Sequence, residues 1–220
     1  MCWNENVSLN TFLFGTVVLL FVAYNNSYTQ YKITEFDKYP VLYLFIFSVV
    51  FMQLAEYFLW KSIRTKNEEM NTIFSMVGWS ITRIFQPLFA IGSIPDPFIY
   101  FRNIAFVVYF FTLTTVSTYK QLYNPIEFKS IIDKSGHLRW IWDDITGYEK
   151  IQSFFYFLSL FVLVFHFPII TLLSACYLIV SYFMFKNAWG SMWCWIINSF
   201  FIYFLIDILY IMPYKEYMKM

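Results

Sequence analysis

Four charged side chains stand inside long apolar runs of this sequence: Glu56, Arg83, Arg102 and Asp207. A charge in hydrocarbon costs about 3 kcal/mol on insertion scales, so each that persists needs a partner or a cavity. Around the first, Ser48, Met52, Gln53, Glu56 and Trp60 recur at helical spacing, which places them on one helix face. Ser75, Trp79, Arg83 and Gln86 repeat the pattern in the next run. Helices joined by a short loop are normally neighbours, so the two stripes are expected to face each other, with Arg83 as the countercharge of Glu56. At a rise of ~1.5 Å per residue, Glu56 lies ~9 Å and Arg83 ~20 Å from the end where these helices join. The long arginine side chain, Gln53 or a water would have to bridge that gap. Arg102 and Asp207 lie ~6 to 8 Å inside their runs at the opposite end, by the same rise, and form a second expected ion pair. An arginine so near an edge can also snorkel without a partner.

The thiols offer a different chemistry. Ser191, Cys194 and Asn198 share a helix face at i, i+3 and i+7, and Cys2, Glu56, Trp60 and Trp193 fall toward the same end of the chain's helices. A thiol beside a carboxylate, with His137 in the adjacent loop, has the parts of a nucleophile and base, or of a zinc site. The spacing carries no ligand signature, so no metal is expected, and no cofactor-binding pattern is present. A bridge from Cys2 to Cys194 would staple the N-terminus to the last helix, whereas a cytosolic location favours free thiols. Both remain open, and Cys176 leaves the cysteine count odd.

Positioning these residues requires membrane helices. Of 220 residues, 60% are hydrophobic, 25% aromatic and only 13% charged, where a soluble domain carries about 25% charge. With a mean hydropathy of +0.56, a water-soluble fold is excluded. Fifteen Lys and Arg against fourteen Asp and Glu give a net charge of +1, so phosphate neutralisation, and with it nucleic-acid binding, has no electrostatic basis. Apolar runs at roughly 10–25, 39–62, 70–93, 98–118, 150–166, 168–185 and 188–212 predict an all-α, seven-helix transmembrane bundle. It forms one domain over 1–220, without internal repeats. The fifth and sixth runs share the junction Phe165-His166-Phe167-Pro168, where proline breaks the backbone ladder. Six passes with one kinked helix is the rival count.

Residues 120–149 form an extramembrane insertion between helices 4 and 5. Within it, alternating residues flank Asp133-Lys134-Ser135-Gly136, the pattern of a β-hairpin over 126–142. Its Trp140 and Trp142 can pack as half-buried strand residues or sit in the interface as membrane anchors. The Lys and Arg of the loops divide nine to four in favour of the hairpin's end, which predicts that this end and the N-terminus are cytoplasmic. The first apolar run lacks a basic flank and a cleavage site, so it is expected to remain as a signal anchor. The sequons at Asn6 and Asn25 lie beside it and are weak signals.

The opening Met1-Cys2-Trp3, the segment Gln53-Leu54-Ala55-Glu56 and the final Ser191-Met192-Trp193-Cys194 resemble those of an uncharacterised family of small multi-pass proteins from microbes and large DNA viruses. Its members typically begin Met-Cys-aromatic, carry Gln and Glu three residues apart in the second helix, and have Ser-x-Trp-Cys in the last. The resemblance implies that Cys2, Gln53, Glu56, Trp193 and Cys194 belong to one family feature, and it makes a viral or intracellular host membrane a candidate location. It carries over no activity.

Three functions are compatible with these residues. The first is transport, conduction or small-ligand binding of an ion or amphiphile, through a polar intramembrane site of Glu56, Gln53, Arg83, Trp60, Trp193, Cys194 and Cys2. The second is an assembly role, with the charges as register locks. The third is membrane enzymology at Cys194 or Cys2. Buried ionisable groups favour the first. A retinal protein is disfavoured, since no lysine stands between Lys186 and Lys215. The bilayer is the one partner the composition itself implies.

Overall fold

The computed structural model describes residues 4–123, 125–143, 147 and 149–218; Cys2 and Trp3 lie outside them. Helix α1 (Glu5–Tyr28) starts from an Asn4 cap whose side chain accepts from Asn6 and Val7. A short α2 (Thr34–Lys38) leads into α3 (Val41–Thr65). The third pass is α4 (Glu68–Ser80), a π-helical turn Ile81–Phe85, and α5 (Gln86–Gly92). Then follow α6 (Ile99–Tyr123), strands β1 (Ser130–Ile132) and β2 (Leu138–Trp140), and α7 (Glu149–Phe161). Helix α8 (Pro168–Phe185) precedes a last pass of α9 (Trp189–Ile197), α10 (Phe200–Ile206), a second π turn and α11 (Met212–Tyr217).

These segments run up and down as seven helical stretches. Glu5 bonds Arg64 at 3.0 Å, which puts the start of α1 beside the end of α3. At the other end the Tyr31 hydroxyl donates to Glu216 at 2.6 Å. The junction before Pro168 is a reversal and not a kink: Phe165 stacks on Phe98 at one end, while Phe185, at the far end of α8, packs on His137 of the hairpin. The chain reverses again at Lys186, where φ is 44°, so that Tyr177 of α8 lies flat against Phe200 of α10. The helical class and the small antiparallel sheet expected from the sequence are both present.

The outer surface of the helices is apolar. Leu20, Ile104, Val107, Phe111 and Ile169 are all exposed, while Gln53, Glu56, Ser75, Arg83 and Asn198 are buried. That inversion suits hydrocarbon better than water. Four stretches, Glu5–Tyr28, Val41–Thr65, Asp96–Tyr123 and Pro168–Tyr217, are long and apolar enough to cross a membrane, which suggests a membrane location.

Two cores fill the bundle. Val22, Phe36, Leu42, Phe201 and Phe204 close the end opposite the hairpin. Met52, Leu59, Ile81, Leu138, Trp140 and Trp142 fill the hairpin end. Both hairpin tryptophans therefore point inward, stacked on each other at 5.0 Å and 10°, and do not serve as interfacial anchors. The buried ring area favours this placement, against the cost of two indole N–H groups that are buried without a hydrogen-bond partner among the described residues.

Side-chain amides hold the connecting segments to the helices. Asn71 of α4 donates to the Ser130 carbonyl at 3.0 Å and accepts from its N–H at 2.9 Å, as a neighbouring strand would. Asn26 treats Ile33 the same way. Asn25 and Asn26 are thus buried and engaged, which removes the second sequon from the surface. Replacing Asn71 with Leu leaves both Ser130 backbone groups unpaired, and is expected to cost about 1–3 kcal/mol. Thermal melting in detergent, with amide exchange over 130–140, measures it; unchanged exchange there would show that the amide does not hold the hairpin.

Candidate functional site

The hairpin does not stop at the bundle end. After β2, the turn Ile141–Asp143 carries Asp143 down to Arg83. Two glycines make room for this descent. A Cβ on Gly78 would stand 3.1 Å from Trp142, and one on Gly190 would stand 3.0 Å from Trp140 and 3.2 Å from the Asp143 carboxylate.

Arg83 is fixed on three sides. Its guanidinium pairs with Asp143 and lies 5.1 Å over the Tyr156 ring. Pro87, four residues on, has no N–H to give to the Arg83 carbonyl, so the helix loosens into its π turn. The Tyr109 hydroxyl donates to that carbonyl at 2.9 Å. Tyr156 donates in turn to Gln86 at 2.7 Å. The countercharge of Arg83 is therefore Asp143, and the pair with Glu56 expected from the sequence does not form. By helical rise the two stand ~11 Å apart in depth, and Arg83 pairs instead with the carboxylate that the loop brings in.

The second expected pair also differs. Arg102 turns back to the Asp96 carboxylate at 3.0 Å and the Ile94 carbonyl at 3.1 Å. Asp207 opens the second π turn and forms no ion pair among the described residues. A partner six residues away costs less chain entropy to reach than one at matched depth on another helix.

Glu56 is left 2% exposed with no ion pair among the described residues. Gln53 and Ser191 face its carboxyl, and Cys194, one helical turn beyond Ser191, is within its electrostatic reach. Glu56 Oε1, both polar atoms of the Gln53 amide, Arg83 Nη1 and Asn198 Oδ1 are buried without a hydrogen-bond partner among the described residues. Such groups are rare in native interiors and mark places where a small polar ligand, ion or water completes the bonding. The sequence stripes thus do meet at one end, but through Gln53, Glu56, Ser191 and Cys194, with Arg83 held apart by Asp143.

Two spaces flank this cluster. A cleft of about 530 Å³ lies at the hairpin end, with Ser191, Gly190, Trp140 and Asp143 on its wall. An apolar cavity of about 160 Å³ lies deeper, bordered by Cys194, Trp193, Gln86, Phe167 and Phe204. Ser191 lines the first and Cys194 the second; Glu56 lines neither, but Ser191 faces its carboxyl. Trp193 closes over the cavity with its indole N–H donating to the Ser174 carbonyl at 3.0 Å. Trp60 is packed in the hairpin-end core. Cys2 lies outside the described residues, so its place in the cluster and any bridge to Cys194 lie outside them too.

His137 sits at the hairpin tip against Phe185, and its contacts are not with Cys194, so a base for a thiol nucleophile is not supplied from there. Among the described residues no three His, Cys, Asp or Glu side chains gather as a metal would require. Burial holds the His137 imidazole below its ordinary value, against a weaker pull from Asp133. The unfolded chain then binds this proton more readily than the folded one. The stability from the neutral ring is full above pH ~6.5 and declines as pH falls below it. Amide protection at 133–138 is expected to drop on acidification through that range and to stop doing so in His137→Gln; equal pH dependence in both would remove His137 as the cause.

Asp143, Tyr109 and Tyr156 carry the site without having been signalled by the sequence pattern. Pro87 four residues after Arg83, and glycines at 78 and 190, are the traces that point to them. No protein-family model, curated protein or solved structure matches this chain.

Proposed function

We propose that the protein spans a membrane seven times and binds a small cation, a proton first among candidates, at Glu56, along a polar route that opens at the hairpin end. The observation that carries this reading is the Glu56 carboxyl itself: 2% exposed, without a basic partner among the described residues, and faced by Ser191, which lines the wide cleft. A buried carboxylate with no fixed countercharge is compensated by a proton or by a cation from outside. Ser191 links it to the cleft, and Gln53 supplies an amide that can ligate a cation or bond a carboxylic acid. The route ends against the aromatic core at Phe204 and Phe36, so passage to the far side requires that core to move. The family resemblance groups Gln53, Glu56 and Cys194 as one feature, and these three also cluster in space.

Purified protein in liposomes under an imposed pH or sodium gradient tests this. Flux abolished by Glu56→Gln supports the reading; flux absent from the wild type, or identical in the variant, overturns it. The orientation reading follows the nine-to-four excess of Lys and Arg. Ser135→Cys, at the exposed hairpin tip, is expected to label from the cytoplasmic side alone, and labelling only from the opposite side reverses the topology.

A further inference from the structure

The cleft at the hairpin end has a chemistry that Glu56 does not use. Three cationic side chains border it: Arg139 of β2, Lys150 at the start of α7 and Lys186 at the turn between α8 and α9. Among the described residues that line it, the one carboxylate, Asp143, is paired with Arg83. Among the described residues, Lys150 and Lys186 form no ion pair. The volume of about 530 Å³ lies within the range of small-molecule sites.

Two further observations point to a ligand. Lys186 holds φ 44° and ψ −103°, a strained conformation for a non-glycine residue and of the kind that clusters at ligand sites. The rim carries Tyr182 and Phe183, both exposed, with Tyr182 edge-on to Trp189. Aromatic side chains at a helix end mark the depth of lipid headgroups, and basic pockets between helices at that depth hold phosphate groups.

We infer that this cleft binds a phosphate-bearing anion at the membrane surface, held by Lys150, Lys186 and Arg139, with the aromatic rim receiving the less polar part of the molecule. The headgroup of an anionic phospholipid and a free phosphate ester share this chemistry. The site is separate from cation binding at Glu56 and does not depend on flux through it; only the lipid arm below rests on the membrane reading.

The full chain in phosphatidylcholine nanodiscs is titrated with short-chain phosphatidylglycerol and, separately, with inorganic phosphate, following tryptophan fluorescence and melting temperature. Saturable binding of either is expected to weaken at least tenfold in Lys150→Gln/Lys186→Gln. A control lacking two charges of the same end outside the cleft, Lys66→Gln/Lys134→Gln, is expected to bind as the wild type does. Lys186→Gly guards against a folding defect, because glycine accepts the backbone angle while the charge is lost; it is expected to melt no lower than the wild type and to bind more weakly. Response to phosphatidylglycerol alone assigns a lipid headgroup, and response to phosphate as well assigns a free anion. Binding by neither, or equal binding in the cleft and control variants, overturns the site.

Discussion

Arg83→Leu is expected to cost about 3–5 kcal/mol and to release the hairpin from the bundle end. The two side chains of the Arg83–Asp143 pair are 7% and 12% exposed, so removing one leaves the other as a buried charge with its main partner gone, and that residual charge dominates the loss. Asp143→Leu should act in the same direction. The double replacement should cost much less than the sum, because two apolar side chains of suitable volume remove both desolvation penalties together. The position of the pair adds a second readout. Asp143 ends the segment that follows β2, so its release should free Trp140 and Trp142 from their stack and raise exchange over 130–143 more than in α1 or α6. Additive single and double effects, measured by thermal or denaturant melting in detergent, would mean that the pair does not couple the hairpin to the helices.

The segments that were legible in the sequence are those whose physics is local. Seven apolar runs read out as seven helical segments, four of them long and apolar enough to cross a membrane, since an apolar run of about 20 residues leaves few alternatives to a helix. The hairpin was legible because Asp133 and Gly136 build a turn from their own backbone: the Asp133 carboxylate accepts from the Ser135 N–H and hydroxyl, and Gly136 takes φ 81°. Its destination was not legible. Depth arithmetic on α3 and α4 pairs Arg83 with the only helical acid nearby, and contains no term for a loop that dives between helices. The information lay in residues read as incidental: Gly78 and Gly190, whose missing side chains admit Trp142, Trp140 and Asp143. Arg102 shows the complementary error. Matching it to Asp207 by depth ignored Asp96, which is close in sequence and within reach around the first turn of α6.

Correcting the Arg83 partner reverses the sign of what Glu56 does for stability. Paired with Arg83, Glu56→Gln would strand an arginine and cost several kcal/mol. In the structure Arg83 keeps Asp143, so no cation is stranded, and the amide of Gln is as able as the acid to bond Ser191 and Gln53. Glu56→Gln is therefore expected to melt within about 1 kcal/mol of the wild type, or above it, because an amide is cheaper to bury than a carboxyl with no fixed countercharge. The same change is expected to abolish cation binding and flux, since a neutral amide can neither give up a proton nor balance a positive charge. Stability kept and flux lost is a combination that a helix-register lock cannot produce. The reverse result, a loss of several kcal/mol with flux unaltered, would make Glu56 a packing element and remove the cation site.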